Sequence, residues 1–179
     1  IGKYFKKIDI REHGSKNSGA TNAYRVLGPK YGLMVLAADA LKGFLPPFIA
    51  SRYGVTGDML LLIGVLAIVG HSLSFFLHFK GGKGVATSLG VFLFLIPNVT
   101  LALLIVFILV VYFTRYISLG SIVAAAALPI LTALSPVGYG IGKTPLLAMT
   151  TLIGVFVIYR HRTNIKRLIE GTENKFKLK

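Results

Sequence analysis

Long apolar stretches, separated by short polar segments, run along almost the whole chain. A helix that crosses a membrane needs about 20 consecutive apolar residues, because the hydrocarbon core of a bilayer is about 30 Å thick. Four stretches meet or approach this length, at residues 32–50, 59–79, 117–134 and 145–159. The pattern therefore predicts an all-α protein, built as a polytopic bundle of membrane-spanning helices.

A fifth apolar stretch, residues 88–113, is long enough for one tilted helix but contains Pro97 near its middle. Proline removes a backbone donor and clashes with the preceding turn, so a break is expected there. Two spans in this stretch place both terminal groups of basic residues, together with Lys80, Lys83 and Arg115, on the same side of the membrane. Because basic residues accumulate in cytoplasmic loops, we predict six spans, with the polar motifs in cytoplasmic loops.

The composition agrees with a membrane as the solvent. Hydrophobic residues make up 54% of the 179 residues and charged residues 15%, whereas about 25% of residues are charged in a soluble domain. No low-complexity linker divides the chain, so residues 1–179 are predicted to form a single integral membrane domain. The net charge of +14 would suit nucleic acid, but the basic residues flank apolar spans, which favours the lipid bilayer and no nucleic-acid partner.

The beginning of the chain resembles the end of a helix. Ile1, Tyr4 and Phe5 stand directly before a basic, polar loop, and they do not form a signal-peptide pattern. We therefore expect a further span to precede this sequence, which brings the intact protein to seven spans.

The sequence contains no candidate metal centre. Cysteine is absent, and the four histidines lack the paired spacing of zinc-binding motifs. We therefore predict no metal and no cofactor.

The first polar segment, GSKNSGATN at residues 14–22, is followed by Arg25. Small residues allow successive backbone N–H groups to converge on an anion, and the serine, threonine and asparagine side chains offer further donors. The segment is thus a candidate phosphate site. An ordinary glycine-containing loop that caps a helix is the alternative.

The second segment, FKGGKGVAT at residues 79–87, lies between two predicted spans. Its paired glycines stand between Lys80 and Lys83, which suits phosphate binding, although glycine follows Lys83 where a P-loop has serine or threonine. Two lysines that extend along apolar surface to reach water at the membrane boundary are the alternative.

The third segment, YRHRTNIKRLIEGTENK at residues 159–175, follows the last predicted span. Its arginines are equally well explained as a basic cluster that stops transfer across the membrane. His161 and Asn164 are explained less readily in that way, because histidine titrates near neutral pH and asparagine can orient a hydroxyl group. These two residues are therefore candidates for chemistry.

Ionisable side chains also occur within the predicted spans. Asp39 and Lys42 stand three residues apart on one predicted helix, close enough to pair. Such residues usually face the protein interior, and we interpret the pair as structural. His71, in the next span, is interpreted as an interhelical hydrogen-bonding residue.

Together, these motifs resemble those of the bacterial acyl-phosphate:glycerol-3-phosphate acyltransferase family. The segments GSKNSGATNAYR, HSLSFFLHFKGGKGVAT, RYISLGSI and YRHRTNIKRLIEGTENK stand in the family's order and spacing and cover nearly the whole chain. The resemblance implies transfer of a fatty acyl group from acyl phosphate to the first hydroxyl of glycerol-3-phosphate, which gives lysophosphatidic acid and phosphate. It also implies a seven-helix fold in the bacterial inner membrane, an active site that faces the cytoplasm, and transient contact with the enzyme that makes acyl phosphate.

The resemblance implies roles for individual residues as well. The implied catalytic residues are His161, Asn164 and Ser15. The implied substrate-binding residues are Asn17, Gly19, Thr21, Asn22, Arg25, Lys80, Gly81, Gly82, Lys83, Gly84, Thr87, Ser118 and Arg167. Glu173 is expected to be structural, like Asp39 and Lys42. The family usually has glycine where Lys16 stands, so we expect either a relaxed turn at Lys16 or a lysine that points to solvent.

The expected mechanism depends mainly on positioning and charge stabilisation, because acyl phosphate already carries a good leaving group. Either His161 or a phosphate oxygen of a substrate takes the proton, and the sequence leaves both open. An acyl-CoA-dependent enzyme is disfavoured, because no histidine is followed, after four intervening residues, by aspartate.

A small transporter or flippase for an anionic lipid or a phosphorylated solute is the rival interpretation. Such a protein would place its polar groups near the centres of the helices. Here the polar motifs gather at one predicted membrane face, which favours an interfacial enzyme.

Overall fold

The computed structural model describes residues 1–77, 79 and 81–176, including the side chains of these residues other than Lys3 and Phe76. Within these ranges the protein folds as α-helices and short turns, which confirms the predicted all-α class. The helices are α1 (Ala20–Leu27), α2 (Pro29–Arg52), α3 (Asp58–Ser72), α4 (Val85–Leu95), α5 (Pro97–Thr114), α6 (Ile117–Leu134), α7 (Lys143–Arg160) and α8 (Arg162–Ile169). A π-helical turn, Gly2–Lys6, precedes α1, and a 3₁₀ turn, Phe75–Leu77, follows α3.

The predicted break at Pro97 is present. Helix α4 ends at Leu95, Ile96 has φ −142° and ψ +64°, and Pro97 begins α5. Proline suits the first position of a helix, because the backbone donor that it lacks would be unsatisfied there.

Helix α3 is shorter than the stretch predicted for it. It ends at Ser72 rather than near residue 79, and the backbone N–H of Gly81 donates to the Ser72 carbonyl oxygen at 3.2 Å. The chain therefore folds back onto the end of α3, which holds the second motif at this end of the helix bundle.

Length and composition alone identify fewer spanning helices than the six predicted. Among the described residues, α2, α5 and α6 are long and apolar enough to cross a membrane, and α7 with α8, bent by 56° relative to each other, forms a fourth candidate. Helices α3 and α4 are apolar but shorter.

Two glycines allow α2 and α4 to pack closely. A Cβ atom added at Gly43 would lie 2.1 Å from the carbonyl oxygen of Thr87, and one added at Gly90 would lie 1.9 Å from the carbonyl oxygen of Ala40. Small residues permit this approach of helix backbones in membranes. The contact holds the start of α4 against the middle of α2, where Asp39 lies.

The remaining helices complete the bundle around this pair. Helix α4 also packs on α3 and α5, α6 lies between α5 and α7, and α3 packs on α7. Leu60, Ile68, Val91 and Leu146 are among the most deeply buried side chains. Many leucine and isoleucine side chains on the outside, such as Ile105 of α5, are exposed, as expected of a surface that faces lipid.

Candidate active site

The polar motifs, distant in sequence, meet at a polar cavity of about 150 Å³. The cavity lies among the N-terminal loop, the start of α4, the start of α6 and the junction of α7 with α8. The predicted site residues that line it are Ser15, Asn17, Gly19, Thr21, Asn22, Arg25, Asp39, Lys83, Gly84, Ser118, His161, Asn164 and Glu173.

Glu173 is the centre of the polar contacts. Its Oε1 atom accepts hydrogen bonds from Ser118 Oγ at 2.8 Å and from Asn164 Nδ2 at 2.7 Å, and its Oε2 atom accepts one from Arg167 Nε at 2.7 Å. Burial alone would raise the pKa of Glu173, but the hydrogen bonds from Arg167, Asn164 and Ser118 outweigh it and lower the pKa below its ordinary value. Glu173 therefore stays ionised and ties the C-terminal segment to α6 and α8.

Lys83 points into the same cluster, where Lys83 Nζ donates to Asn164 Oδ1. Burial, followed by the positive charges of Arg167, Arg160 and Arg25, lowers the pKa of Lys83 to about 8, although the charge of Glu173 opposes this shift. The carboxylate of Glu173 is thus surrounded by several cations, which leaves a positive field for an anionic ligand.

Arg25 of α1 contributes to this field. Its Nη2 atom donates to the Asn174 carbonyl oxygen at 3.5 Å. Burial lowers the pKa of Arg25, the charge of Glu173 raises it, and the charge of Arg167 lowers it. Arginine remains charged under all ordinary conditions, so Arg25 supplies a permanent cation to the cavity wall.

His161 occupies the junction between α7 and α8 and is 4% exposed. Its Nδ1 atom lies 2.8 Å from the Val157 carbonyl oxygen, a contact that requires Nδ1 to carry the proton. Burial and the charge of Lys83 lower the pKa of His161 to about 4. His161 is therefore neutral at pH 7, with Nε2 unprotonated but weakly basic.

Asn22 organises the N-terminal loop. Its Nδ2 group donates to the carbonyl oxygens of Ile10, His13 and Asn17 at 2.7, 3.1 and 2.9 Å, and its Oδ1 atom accepts from the Ser15 backbone N–H at 2.8 Å. Although Asn22 lines the polar cavity, its side chain is fully engaged with the loop. Its contacts favour a supporting role rather than the predicted contact with substrate.

The turn at Lys16 is retained. Lys16 adopts φ +57°, a left-handed conformation that glycine adopts more easily, and its side chain is exposed. Of the two expectations for this position, the lysine that points to solvent agrees with the structure, whereas the turn is not relaxed.

Gly81 and Gly82 pack under the site rather than line it. A Cβ atom added at Gly81 would lie 2.0 Å from the His71 carbonyl oxygen, and one added at Gly82 would lie 2.2 Å from His71 Nε2. Arg160 donates to the carbonyl oxygens of both glycines at 3.0 Å. These glycines are needed for close packing beneath Lys83, and sequence reasoning missed the part played by Arg160.

Two further residues predicted to bind substrate do not line the polar cavity. Thr87 is fully buried against α2, where it faces Gly43, and it does not line the polar cavity. Arg167 pairs with Glu173 behind the polar cavity and does not line it. Lys80 lies outside the described residues.

The ionisable residues of α2 and α3 that the sequence placed within spans form one cluster. Lys42 Nζ lies 2.5 Å from Asp39 Oδ1, and His71 Nδ1 lies 3.8 Å from the same oxygen. Asp39 and His71 line the polar cavity, while Lys42 is partly exposed. No group of three or more metal-binding side chains occurs in the described part of the chain.

An apolar cavity of about 320 Å³ adjoins the polar one. It extends along α4, α5, α6 and α7, as far as Phe92, Thr100 and Leu128. Ile117 and Leu128 of α6 both line it, and eleven residues of helix span about 17 Å at 1.5 Å per residue. Residues that line both cavities are Ala20, Thr21, Leu36, Val85, Ala86, Phe107, Ile117 and Ser121.

Comparison with known proteins identifies the family. The family described as "Glycerol-3-phosphate acyltransferase" matches residues 1–171. The chain belongs to the glycerol-3-phosphate acyltransferase family. A member from Fusobacterium nucleatum is 59% identical over 177 residues, 99% of this chain and 89% of the relative. One from Bacillus subtilis is 47% identical over 179 residues, 99% of this chain and 88% of the relative.

Solved structures agree with this assignment. The crystal structure of PlsY (YgiH), an integral membrane glycerol 3-phosphate acyltransferase, in its glycerol 3-phosphate form superimposes with a TM-score of 0.88 at 40% identity, covering 98% of this chain and 88% of that chain. The form with lysophosphatidic acid gives a TM-score of 0.82 at 42% identity, covering 92% and 82%. The family predicted from the motifs is confirmed, as is an integral membrane fold.

Sequence reasoning missed the apolar cavity of this glycerol-3-phosphate acyltransferase. Its walls are built mainly from leucine, valine and phenylalanine, the same residue types that occur on a lipid-facing surface. Hydropathy therefore cannot distinguish residues that line the cavity from residues that face lipid. A partial signal was available in Ser121, a second polar residue one helical turn after Ser118 in RYISLGSI.

Proposed function

We propose that this protein transfers a fatty acyl group from acyl phosphate to the first hydroxyl of glycerol-3-phosphate, giving lysophosphatidic acid and inorganic phosphate. One observation carries the proposal: a polar cavity edged by cations adjoins an apolar cavity and shares eight lining residues with it. The two cavities match the two parts of an acyl phosphate, and the chain belongs to a family of glycerol-3-phosphate acyltransferases.

The polar cavity would hold the phosphate groups. Arg25 and Lys83 line it, and Arg167 and Arg160 add positive charge from behind. Arginine can bind a phosphate with two parallel hydrogen bonds, and lysine acts as a point charge. Thr21 and the backbone N–H groups at the start of α1 offer further donors, since a helix N terminus attracts anions.

The apolar cavity would hold the acyl chain. Each methylene group that leaves water contributes about 0.8 kcal/mol, so a chain that fills a cavity of about 320 Å³ is bound firmly. In this arrangement the carbonyl carbon would lie beside the phosphates, and the end of the chain would lie near Leu128.

A phosphate oxygen of a substrate would take the proton of the attacking hydroxyl. The second pKa of a phosphate monoester is about 6, whereas the pKa of His161 is about 4. The phosphate is thus the stronger base, and its pKa lies closer to neutral pH, where a general base works best. His161 and Asn164 would orient the hydroxyl group.

We further propose that the helices α2 to α7 of this single domain cross the membrane six times. The ends of α3 and α7 and the starts of α4 and α6 line the polar cavity. The start of α2 packs on α1, where Gly32 lies against Tyr24, and the Arg115 carbonyl oxygen, just after α5, accepts from the Phe176 backbone N–H. This alternation supports six crossings. Helices α3 and α4 would cross by local thinning of the bilayer. The basic residues at this end favour a site on the cytoplasmic side of the bacterial inner membrane.

This topology can be tested with cysteine variants, because the chain has no native cysteine. Lys16→Cys and Lys175→Cys should react with a membrane-impermeant maleimide only from the cytoplasmic side, and Gly138→Cys only from the outside. Labelling of Lys175→Cys and Gly138→Cys from the same side would contradict six crossings.

A transient contact with the enzyme that makes acyl phosphate is also part of the proposal. Acyl phosphate is amphiphilic and reactive, so direct transfer at the membrane surface would limit its loss to water.

The activity can be tested with purified protein in bilayers. Palmitoyl phosphate should release phosphate and yield lysophosphatidic acid only when glycerol-3-phosphate is present, and palmitoyl-CoA at the same concentration should be a poor donor. Lys83→Ala should lower kcat/KM by roughly 30-fold or more. Lys166→Ala is the matched control, because Lys166 lies nearby but its side chain is 77% exposed. Efficient transfer from palmitoyl-CoA would overturn the proposed donor.

A further inference from the structure

Ser121 lies where the two cavities of the site meet. Among the described residues that line both cavities, Thr21 and Ser121 carry a hydroxyl group and the other six are apolar. In an acyl phosphate, the carbonyl group joins the phosphate to the alkyl chain. A substrate bound as proposed therefore places its carbonyl group at this junction, within reach of these two hydroxyls.

The contacts of Ser121 leave its hydroxyl available. The side chain is 5% exposed, and Oγ donates to the Ile117 carbonyl oxygen at 3.0 Å. That carbonyl oxygen also lies in register to accept the backbone N–H of Ser121, as in any α-helix, so it stays satisfied if the hydroxyl turns into the cavity. Ser118, one turn earlier, differs because its hydroxyl is bound to Glu173.

Position along α6 separates Ser121 from the phosphate-binding groups. Ser121 lies about 4.5 Å further along the helix than Ser118, at 1.5 Å per residue. Thr21 stands at the start of α1, beside the loop to which the proposed function assigns a phosphate. Ser121 is therefore the hydroxyl closer to the acyl side of the junction.

We propose that the Ser121 hydroxyl donates a hydrogen bond to the carbonyl oxygen of acyl phosphate and is a catalytic residue, an inference that rests on the proposed function. In the reaction, the hydroxyl oxygen of glycerol-3-phosphate bonds to the carbonyl carbon, and the bond from that carbon to the phosphate oxygen breaks. Phosphate leaves with the electron pair, and the hydroxyl proton goes to a phosphate oxygen. Negative charge builds on the carbonyl oxygen meanwhile, and a donor placed there stabilises it.

Replacement of Ser121 tests the proposal. Ser121→Ala removes the donor, and Ser121→Cys keeps nearly the same size but donates weakly. Loss of one oxyanion donor typically lowers kcat by about 100-fold or more, so Ser121→Ala should lose about that much, and Ser121→Cys at least tenfold. The KM for glycerol-3-phosphate should stay within about twofold, because the cations that bind its phosphate are unchanged.

Thr132→Val is the matched control. Thr132 also lies on α6 and is buried, and its hydroxyl likewise donates to a carbonyl oxygen four residues earlier, at 2.8 Å, but it lines neither cavity. This variant should keep kcat within about twofold. A folded Ser121→Ala or Ser121→Cys variant with wild-type kcat would overturn the proposal.

A spectroscopic measurement separates a direct contact from a structural effect. A non-hydrolysable acyl phosphonate labelled with ¹³C at its carbonyl group can be bound to the wild type and to Ser121→Ala. The infrared carbonyl band should lie at lower frequency in the wild type, because hydrogen bonding weakens the bond. Identical bands would refute the contact, whereas a wild-type protein without transfer from palmitoyl phosphate to glycerol-3-phosphate would refute the proposed function itself.

Discussion

Ser118 and Glu173 are 55 residues apart in sequence, yet Ser118 Oγ donates a hydrogen bond to Glu173 Oε1 at 2.8 Å. The contact joins the start of α6 to the segment after α8, and Asn164 and Arg167 complete the set of donors to the same carboxylate. It thereby fixes Asn164, which accepts from Lys83. Glu173, which was expected to be structural, therefore supports the side chains to which substrate binding is assigned.

Glu173→Gln should destabilise the protein. The neutral amide cannot accept a charge-assisted bond from Arg167 and cannot satisfy three donors equally, and hydrogen bonds to charged groups contribute about 1.5 to 3 kcal/mol each. We expect a loss of about 2 kcal/mol, measured as a lower midpoint of thermal unfolding in detergent at pH 7. Glu170→Gln is the control, since Glu170 is half exposed and lies 3.7 Å from Lys166.

The stabilisation by Glu173 should depend on pH. The pKa of Glu173 in the folded protein lies below its ordinary value of 4.5, so the unfolded chain binds a proton first as pH falls. The contribution is therefore complete above pH 4.5 and is lost as pH falls through the folded-state pKa. In that range the difference in midpoint between wild type and Glu173→Gln should shrink, and a constant difference would contradict this assignment.

Lys83 should set an alkaline limit to activity. Its pKa of about 8 means that the free enzyme loses this cation as pH rises through about 8. Because the charged form binds phosphate, kcat/KM for glycerol-3-phosphate should fall above that pH. Lys83→Arg keeps its charge beyond pH 12, so its profile should stay flat there, whereas Lys166→Arg should follow the wild type.

His161→Ala should lower turnover by less than 100-fold. Loss of a general base typically costs about 100-fold to 10,000-fold, but the pKa of His161 of about 4 makes it a weak base. If a substrate phosphate takes the proton, an inflection near pH 6 in kcat should persist in His161→Ala. Disappearance of that inflection, with a loss of 1,000-fold or more, would assign the base to His161.

Local rules were sufficient for part of the fold. The break before Pro97 follows from the missing backbone donor of proline, and the exit of α7 at His161 follows from the end of the apolar run. The site motifs could be identified because glycine, lysine and asparagine are uncommon within apolar stretches. Each of these features depends on residues close in sequence.

Features that depend on distant partners could not be predicted. Asn22 was predicted to donate hydrogen bonds to a phosphate, but its amide instead donates to three backbone carbonyl oxygens of the folded loop. The fold of the loop determines these contacts, and the sequence does not reveal it. Thr87 belongs to a motif whose composition suits phosphate binding, but it faces Gly43 of α2. Arg160, which appeared to be one of several basic residues at a membrane boundary, binds the carbonyl oxygens of Gly81 and Gly82.

Gly90→Ala should destabilise the bundle. The added Cβ would lie 1.9 Å from the Ala40 carbonyl oxygen, so α2 and α4 must separate. Overpacking of this kind typically costs about 1 to 3 kcal/mol. Gly70→Ala in α3 is the control, because nothing lies within 4 Å of its added Cβ, and alanine in a helix is more stable than glycine by up to about 1 kcal/mol. Opposite shifts of the thermal midpoint are expected, and a stable Gly90→Ala would contradict the close packing.

Ala124→Phe should shorten the acyl chain that the enzyme prefers. Ala124 lines the apolar cavity on α6, seven residues and thus about 10 Å beyond Ile117. A phenyl ring there blocks the deep part of the cavity while leaving the polar cavity unchanged. Short acyl phosphates should therefore react at nearly the wild-type rate.

Long acyl phosphates should lose more, because the carbons beyond the ring can no longer be buried. At about 0.8 kcal/mol per methylene group, exclusion of four methylene groups costs about 3 kcal/mol, which corresponds to more than 100-fold in kcat/KM. Ala126→Phe is the matched control, since Ala126 is on the same helix but is exposed and lines neither cavity. Competition between decanoyl and palmitoyl phosphate, with both products quantified by mass spectrometry, measures the change directly. An unchanged product ratio in a folded Ala124→Phe variant would show that the acyl chain does not occupy this cavity.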